Sequence, residues 1–312
     1  MTGQVPSAKL SESILEELWF GEDDSQATDE HAAASFAAAM AEMEGLRPFS
    51  DVARRVLDEA GNPNFEVGRL QTIIEQDPAL ATKVLRLANS AAFRPREPCG
   101  SVKQAIMVLG ARTLGEVATS LSLMSMFSDG SGVGRVIRDH CASTAALVRT
   151  LSLERANAGT ATYIVGLLHD FGKLLLLQAQ PSAYLKIQGH DRSEPDTIHI
   201  REREVLGYDH AVLGAHVLRK WGLPDPIPKV IAWHHQPTRA YAAGGAVALS
   251  VAMIRLAERI DHILHTSPEP SDDVLERMAH TTDCQYLGFE ARDLHKFWDE
   301  LREVQREAEQ IF

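Results

Sequence analysis

Apolar positions along this chain recur every three to four residues and seldom alternate, so the pattern predicts helices packed on helices rather than strands. Val67, Leu70, Ile73 and Ile74 mark one core-facing helix, which Pro78 in QDPAL breaks and restarts. Leu80, Val84, Leu87 and Ala88 mark the next, ending near Asn89 and Ser90, whose side chains compete for backbone hydrogen bonds. Ser101 is a good N-cap for a helix carrying Val102, Ala105, Ile106 and Leu109, and Gly110 stands where a left-handed residue is wanted. The spacing Thr113 to Glu116 reads as a capping box that opens the following helix.

The run SDGSGVG (128–134) is the clearest internal joint. Beyond it, His140, Thr144, Leu147, Val148 and Leu151 share a helix face, and Ile164, Leu167, Leu168 and Phe171 share another. His210, Leu213, Gly214, Val217 and Trp221 follow on a helix that Asp209 caps and Gly222 with Pro224 ends. Pro228 suits a first helical turn, and Ile227, Val230, Ile231, His234 and His235 keep helical spacing until Pro237 stops it. Leu249, Met253, Leu256 and Ile260 lie on one face and Val247, Val251 and Ile254 on another, so that helix should be sandwiched. The plan is all-α: an acidic tail over 1–30 with one amphipathic stretch, SESILEELWF; an N-terminal helical subdomain over 31–127; a helical bundle over 128–265; and a helical extension over 266–312.

Bulk properties narrow the function. A 45% hydrophobic content supplies a core, whereas no apolar run reaches the ~18 residues of a membrane helix, so a cytoplasmic protein without a membrane contact is expected. The formal charge of −12 with no dense Lys/Arg run argues against direct nucleic-acid binding. Cys99, Cys141 and Cys284 lack CxxC spacing and suggest neither disulfides nor a cysteine metal site.

Several of the 13 histidines fall in apolar surroundings, where an unpaired imidazole is costly. His169 and Asp170 sit in GLLHDFGKLLL, His140 on an inward stripe, His210 at a helix start, and His234 and His235 at a helix end. Imidazole and carboxylate arriving from several helices is how helical proteins assemble a metal site, although each histidine alone also fits a satisfied core residue. On one regular helix His169 and Asp170 would diverge by ~100°, so both reach a single site only if it straddles the helix or holds two ions. Lys173 reads either as a phosphate contact or as a solvated helix end, and Arg112 either as a phosphate contact or as a surface ion pair. Trp221 and Trp233 read as core.

The segments QDPALATKVLRLANSAAF (76–93), SVKQAIMVLGARTL (101–114), GLLHDFGKLLL (166–176) and EREVLGYDHAVLGAHVLRKWGLP (202–224), with the His234–His235 pair, resemble the HDOD domain over about 40–265. That domain is a bacterial signalling relative of the HD superfamily of metal-dependent phosphohydrolases. The resemblance implies an HD-like helical bundle with an N-terminal helical subdomain. It also implies metal ligands at His140, His169, Asp170, His210, His234 and His235 and at an acid in the following helix. The implied metal is divalent: iron, manganese, zinc or nickel. In LAERID that acid is Glu258 where the superfamily has aspartate, with Asp261 three residues on. The Gly-Tyr-Pro signature of the cyclic-di-GMP phosphodiesterase branch is absent, so cyclic-dinucleotide hydrolysis is not implied. The family's usual role is regulatory, through contacts with signalling proteins, and a second copy of the chain is a further partner to consider. The parent superfamily implies hydrolysis of phosphoesters, and ligand sensing in the same cavity is a third reading.

Overall fold

The computed structural model describes residues 30–44, 51–60, 62, 64–125, 132–154, 161–188, 197–223 and 225–311. Regular structure among them is helical throughout. The N-terminal block comprises α1 (Glu30–Glu44), α2 (Asp51–Ala60), α3 (Val67–Glu75), α4 (Pro78–Ala88), α5 (Val102–Leu109) and α6 (Ala111–Ser125). Then follow α7 (Val133–Leu153), α8 (Ala161–Leu168), α9 (Phe171–Ala179), α10 (Pro181–Gln188), α11 (Ile198–Leu206) and α12 (His210–Lys220). The chain closes with α13 (Ile227–Trp233), α14 (Pro237–Ala243), α15 (Gly245–Thr266), α16 (Asp272–Ala279), α17 (Thr282–Leu287) and α18 (Ala291–Ala308). The amphipathic stretch 11–20, most of the 128–134 joint and Pro224 lie outside the described residues.

Local chemistry sets the element boundaries. Pro78 opens α4 because its missing N–H is not needed there, and the Asp77 carboxylate accepts from Ala79 and Leu80 N–H at 3.0 Å each. Ser101 caps α5 by accepting from Gln104 N–H. One expectation is corrected here: α6 opens at Ala111, not at Thr113. Gly110, at φ +77°, reverses the chain in a single residue, and its carbonyl already accepts from Leu114 N–H at 3.0 Å, which leaves Thr113 inside the helix. Likewise α13 stops at Trp233, ahead of Pro237, and Pro237 instead begins α14.

Two long helices organise the centre. α7, of 21 residues, packs on α8, α15 and α18, while α15, of 22 residues, also meets α8, α13, α14 and α17. Both faces of α15 are buried, as its two apolar stripes require. One apolar core runs without interruption from Phe36 in α1 to Ile311. α18 contributes Leu294, Phe297, Trp298, Leu301 and Val304 to that core, and Trp298 Nε1 donates to the Pro268 carbonyl at 2.9 Å. Among the described residues no single helix is long and apolar enough to cross a membrane.

The close approach of α9 to α12 matters most for the site. A Cβ on Gly172 would lie 1.8 Å from the His210 carbonyl oxygen, and one on Gly214 would lie 3.0 Å from Gly172 N. Only glycine at 172 lets the start of α12 seat itself against the start of α9, which brings His210 to Asp170.

Candidate metal centre

The problem posed by adjacent His169 and Asp170 is solved by a break in the helix. α8 ends at Leu168 and α9 begins at Phe171, so the pair occupies the turn between them and both side chains face inward. This geometry differs from either arrangement considered for a continuous helix. His140 arrives from the middle of α7, His210 from the first residue of α12, His234 and His235 from the end of α13, and Glu258 from α15. All seven sequence-identified donors therefore converge. They form two groups, Asp170 with His210, His234 and His235, and His140 with His169 and Glu258, each with one donor atom per residue lying within 4.8 Å of the others.

Asp170 joins the two groups. Its Oδ1 lies 3.0 Å from His210 Nε2 and 3.9 Å from His234 Nε2. Its Oδ2 lies 3.4 Å from His169 Nε2 and 3.6 Å from His140 Nε2. His169 Nε2 is in turn 3.6 Å from Glu258 Oε1.

The far nitrogens of four histidines are each pinned by an acceptor. His169 Nδ1 donates to the Gly166 carbonyl and His234 Nδ1 to the Ile231 carbonyl, both at 2.7 Å. His140 Nδ1 donates to Asp261 Oδ2 at 2.8 Å, and His210 Nδ1 to Glu202 Oε2 at 2.6 Å. A neutral imidazole whose Nδ1 carries the proton keeps a lone pair on Nε2, and these four Nε2 atoms line the two donor groups, His210 offering its lone pair once a cation displaces its second proton. Buried Nε2 atoms of His169 and His234 find no hydrogen-bond partner, a costly arrangement for a site without a cation. His235 Nε2 faces His210 Nε2 at 3.2 Å, so a proton or a cation must lie between two lone pairs. The donor set thus fits a divalent ion with mixed nitrogen and oxygen ligands.

Electrostatics agree. Burial and the neighbouring imidazoles hold His234 and His235 well below the ordinary histidine value, so both stay neutral and able to ligate. Burial opposes ionisation of Asp170, but the neighbouring His169 ring and the Lys173 ammonium outweigh it and keep the carboxyl well below its usual range. Burial also opposes a charged His210, yet the Glu202 carboxylate wins and lifts it to about 9 in the absence of a metal.

Lys173, read from sequence as a phosphate contact or a solvated helix end, has its Nζ 2.6 Å from Asp170 Oδ2 and is largely buried. Arg112 lies on α6, and its side chain is outside the described residues. Trp221 meets Phe171 edge-on, and Trp233 is buried beneath the Lys229 and Arg239 cations, so both belong to the core. Sequence reading assigned no role to Glu202. Its signal was present: Ile198, Glu202 and Leu206 form one buried stripe of α11, and a carboxylate in that register needs a partner. Asp261, noted only as a spare acid, supports His140, and Ser143 Oγ donates to its other oxygen. His199 stacks on His235 at 4.2 Å and was not singled out either.

A family model described as the HDOD domain matches residues 46–237. An uncharacterized protein of Treponema pallidum (strain Nichols) is 26% identical over 178 residues, which make up 56% of this chain and 34% of that protein, so the match spans about a third of the curated relative. Among solved structures, a protein named as a phosphohydrolase from Shewanella amazonensis SB2B superposes with a TM-score of 0.67 at 22% identity, covering 87% of this chain and 98% of that one. An HDOD domain protein from Geobacter sulfurreducens gives 0.67 at 18% identity, with 90% and 99% covered. A protein named for signal transduction, from Marinobacter aquaeolei VT8, gives 0.59 at 21% identity, with 93% and 68% covered. At such identities the likeness speaks for the fold.

Proposed function

From the premise that the chain belongs to the HDOD domain family, whose model matches well over half its length, we propose that it is a regulatory signal-transduction module acting through protein contacts, with divalent metal held in its buried His/carboxylate centre. His140, His169, Asp170, His210, His234, His235 and Glu258 would hold the metal. The observation that carries the reading is the convergence of four imidazole Nε2 atoms, each ring fixed by an acceptor on Nδ1, in a largely buried cluster whose one partly exposed donor is His140. His140 is 25% exposed in its side chain, whereas His169, His210 and His234 are fully buried and Asp170 is 1% exposed. A centre so enclosed suits a structural or sensing role better than turnover of a phosphoester, which needs an open coordination position. Lys173 is committed to Asp170, which leaves it poorly placed to clamp a phosphate. The name of the Marinobacter relative points to signalling as well.

A phosphohydrolase is the second reading. It is favoured by the two donor groups sharing Asp170 and by the partly open edge at His140. A divalent ion bound there would lower the pKa of a water and draw charge from a phosphate ester. Elemental analysis of full-length protein purified without chelator, run beside an assay with a generic phosphodiester, separates the two. The regulatory reading expects iron, manganese, zinc or nickel at stoichiometric level, lost in His169→Ala, with no turnover. Turnover that disappears in His169→Ala overturns it in favour of the hydrolase.

A further inference from the structure

The C-terminal helices, beyond the family match that ends at Thr238's predecessor Pro237, are tied by polar contacts to both halves of the centre. The first tie starts at Asp283 on α17, a carboxylate only 2% exposed. Its Oδ1 accepts from Arg255 Nε at 2.9 Å and from the Tyr241 hydroxyl, while Arg259 Nε stands 3.5 Å from Oδ2. Arg255 then donates from Nη1 to the backbone carbonyl of His234 at 3.3 Å. The second tie starts at Glu309, just after α18. Its Oε1 accepts from Gln305 Nε2 and lies against His265 Nε2, each at 2.9 Å. His265 Nδ1 bonds the Asp261 carbonyl at 2.7 Å, and the Asp261 carboxylate holds His140 Nδ1.

We infer that the segment 272–309 is a positioning element for the metal centre: Asp283, through Arg255, sets the turn that presents His234 and His235, and Glu309, through His265 and Asp261, sets His140. The inference rests on the reading of the cluster as a metal site. Three features carry it. Asp283 is buried with two guanidiniums and a phenol, so its partners have little freedom to move independently of it. Arg255 bridges α17 to a backbone atom of a donor residue rather than to solvent. The two ties end on different donor groups, His234 in one and His140 in the other, so the same C-terminal unit braces both. A second-sphere contact of this kind acts on ligand orientation, and small displacements of a donor weaken coordination disproportionately. Movement of α17 or α18, for instance on binding another protein, would then be read at the centre.

The test uses full-length protein stripped of metal and titrated calorimetrically with zinc. Asp283→Asn keeps the shape of the side chain and removes the charge that orders Arg255. Leu287→Ala trims the apolar packing of the same short helix without touching either tie, and serves as the structural control. Asp283→Asn is expected to lose roughly 10-fold or more in zinc affinity, and Leu287→Ala, even where it lowers the melting temperature equally, to bind as wild type. Glu309→Gln combined with His265→Gln is expected to weaken zinc binding through the His140 side. Wild-type affinity in Asp283→Asn, or an equal loss in Leu287→Ala, overturns the inference. If wild-type protein takes up no zinc, the metal reading itself fails, and histidine ring resonances of the metal-free protein still decide the coupling. A His234 shift in Asp283→Asn but not in Leu287→Ala supports it, and unchanged His234 signals overturn it.

Discussion

Glu202 grips His210 twice through a single oxygen: Oε2 accepts from the ring Nδ1 at 2.6 Å and from the His210 backbone N–H at 2.9 Å. The same carboxylate oxygen therefore caps the start of α12 and fixes which way the imidazole faces. Replacing it, Glu202→Gln, is expected to cost roughly 10- to 100-fold in metal affinity, because ring orientation and ligand basicity both depend on the charge. Competition with a chromophoric chelator measures this directly, and unchanged affinity would remove Glu202 from the site.

The metal-free protein should be most stable near the ordinary histidine value of 6.5, with loss on both sides. His234 and His235 are held neutral in the fold, so the folded chain binds fewer protons there than the unfolded one. Their contribution is present above 6.5 and lost as pH falls below it. His210 is raised to about 9, so its contribution is complete below 6.5 and is lost as pH climbs to about 9. Urea unfolding of chelator-treated protein across this range traces both limbs. Glu202→Gln should shrink the alkaline limb, to which His140 and His265, raised by other carboxylates, also contribute, and leave the acid limb in place.

Zinc or manganese at about 100 times its dissociation constant should stabilise the fold by about 2.7 kcal/mol. A thermal melt with increasing metal reads this, and the gain should vanish in His234→Ala. A shift of the same size in that variant would place the ion elsewhere.

Lys173→Met should destabilise the metal-free protein by about 3 kcal/mol, since it leaves the buried Asp170 carboxylate short of its nearest cation. With metal present the ion can compensate that charge, so the penalty should shrink. Equal penalties in the two states, measured by chemical denaturation, would show that Lys173 acts independently of the centre.

Gly172→Ala should cost at least about 3 kcal/mol, because the new methyl collides with the His210 carbonyl and backbone must yield. Gly68→Ala is the matched control: it lies in α3 with nothing within 4 Å of a Cβ and should be neutral or stabilising by up to about 1 kcal/mol. Denaturation midpoints of the two variants give the comparison.

Much of this was legible in the chain itself. Residue spacing marked the main core helices between Val67 and Ile260, because burial of one face dictates a period near 3.6; histidines in apolar runs pointed to the centre, and the family resemblance supplied the rest of the donor set, Glu258 included. Two kinds of feature escaped. The helix boundary at Ala111 depends on a single-residue reversal at Gly110, and that at Trp233 falls inside a stretch of unbroken apolar spacing; a periodic pattern registers neither. The supporting acids were missed because pattern reading asks which residues face inward, while a supporting role depends on which of them meet. Glu202 and Asp261 lie 8 and 121 positions from the histidines they hold. The break at His169 and Asp170 belongs with the first kind: Ile164, Leu167, Leu168 and Phe171 keep helical spacing across it, yet α8 ends at Leu168 and α9 begins at Phe171.

Asp170 offers one oxygen to each donor group. The two halves of the centre consequently share a single point of failure. Trimming His140 or His235 should leave one half able to function, so partial phenotypes are expected from those positions in a saturation scan, whereas every substitution at Asp170 should behave as a null. An allelic series graded at His140 and His235 and abrupt at one aspartate would be the genetic signature of that shared oxygen pair.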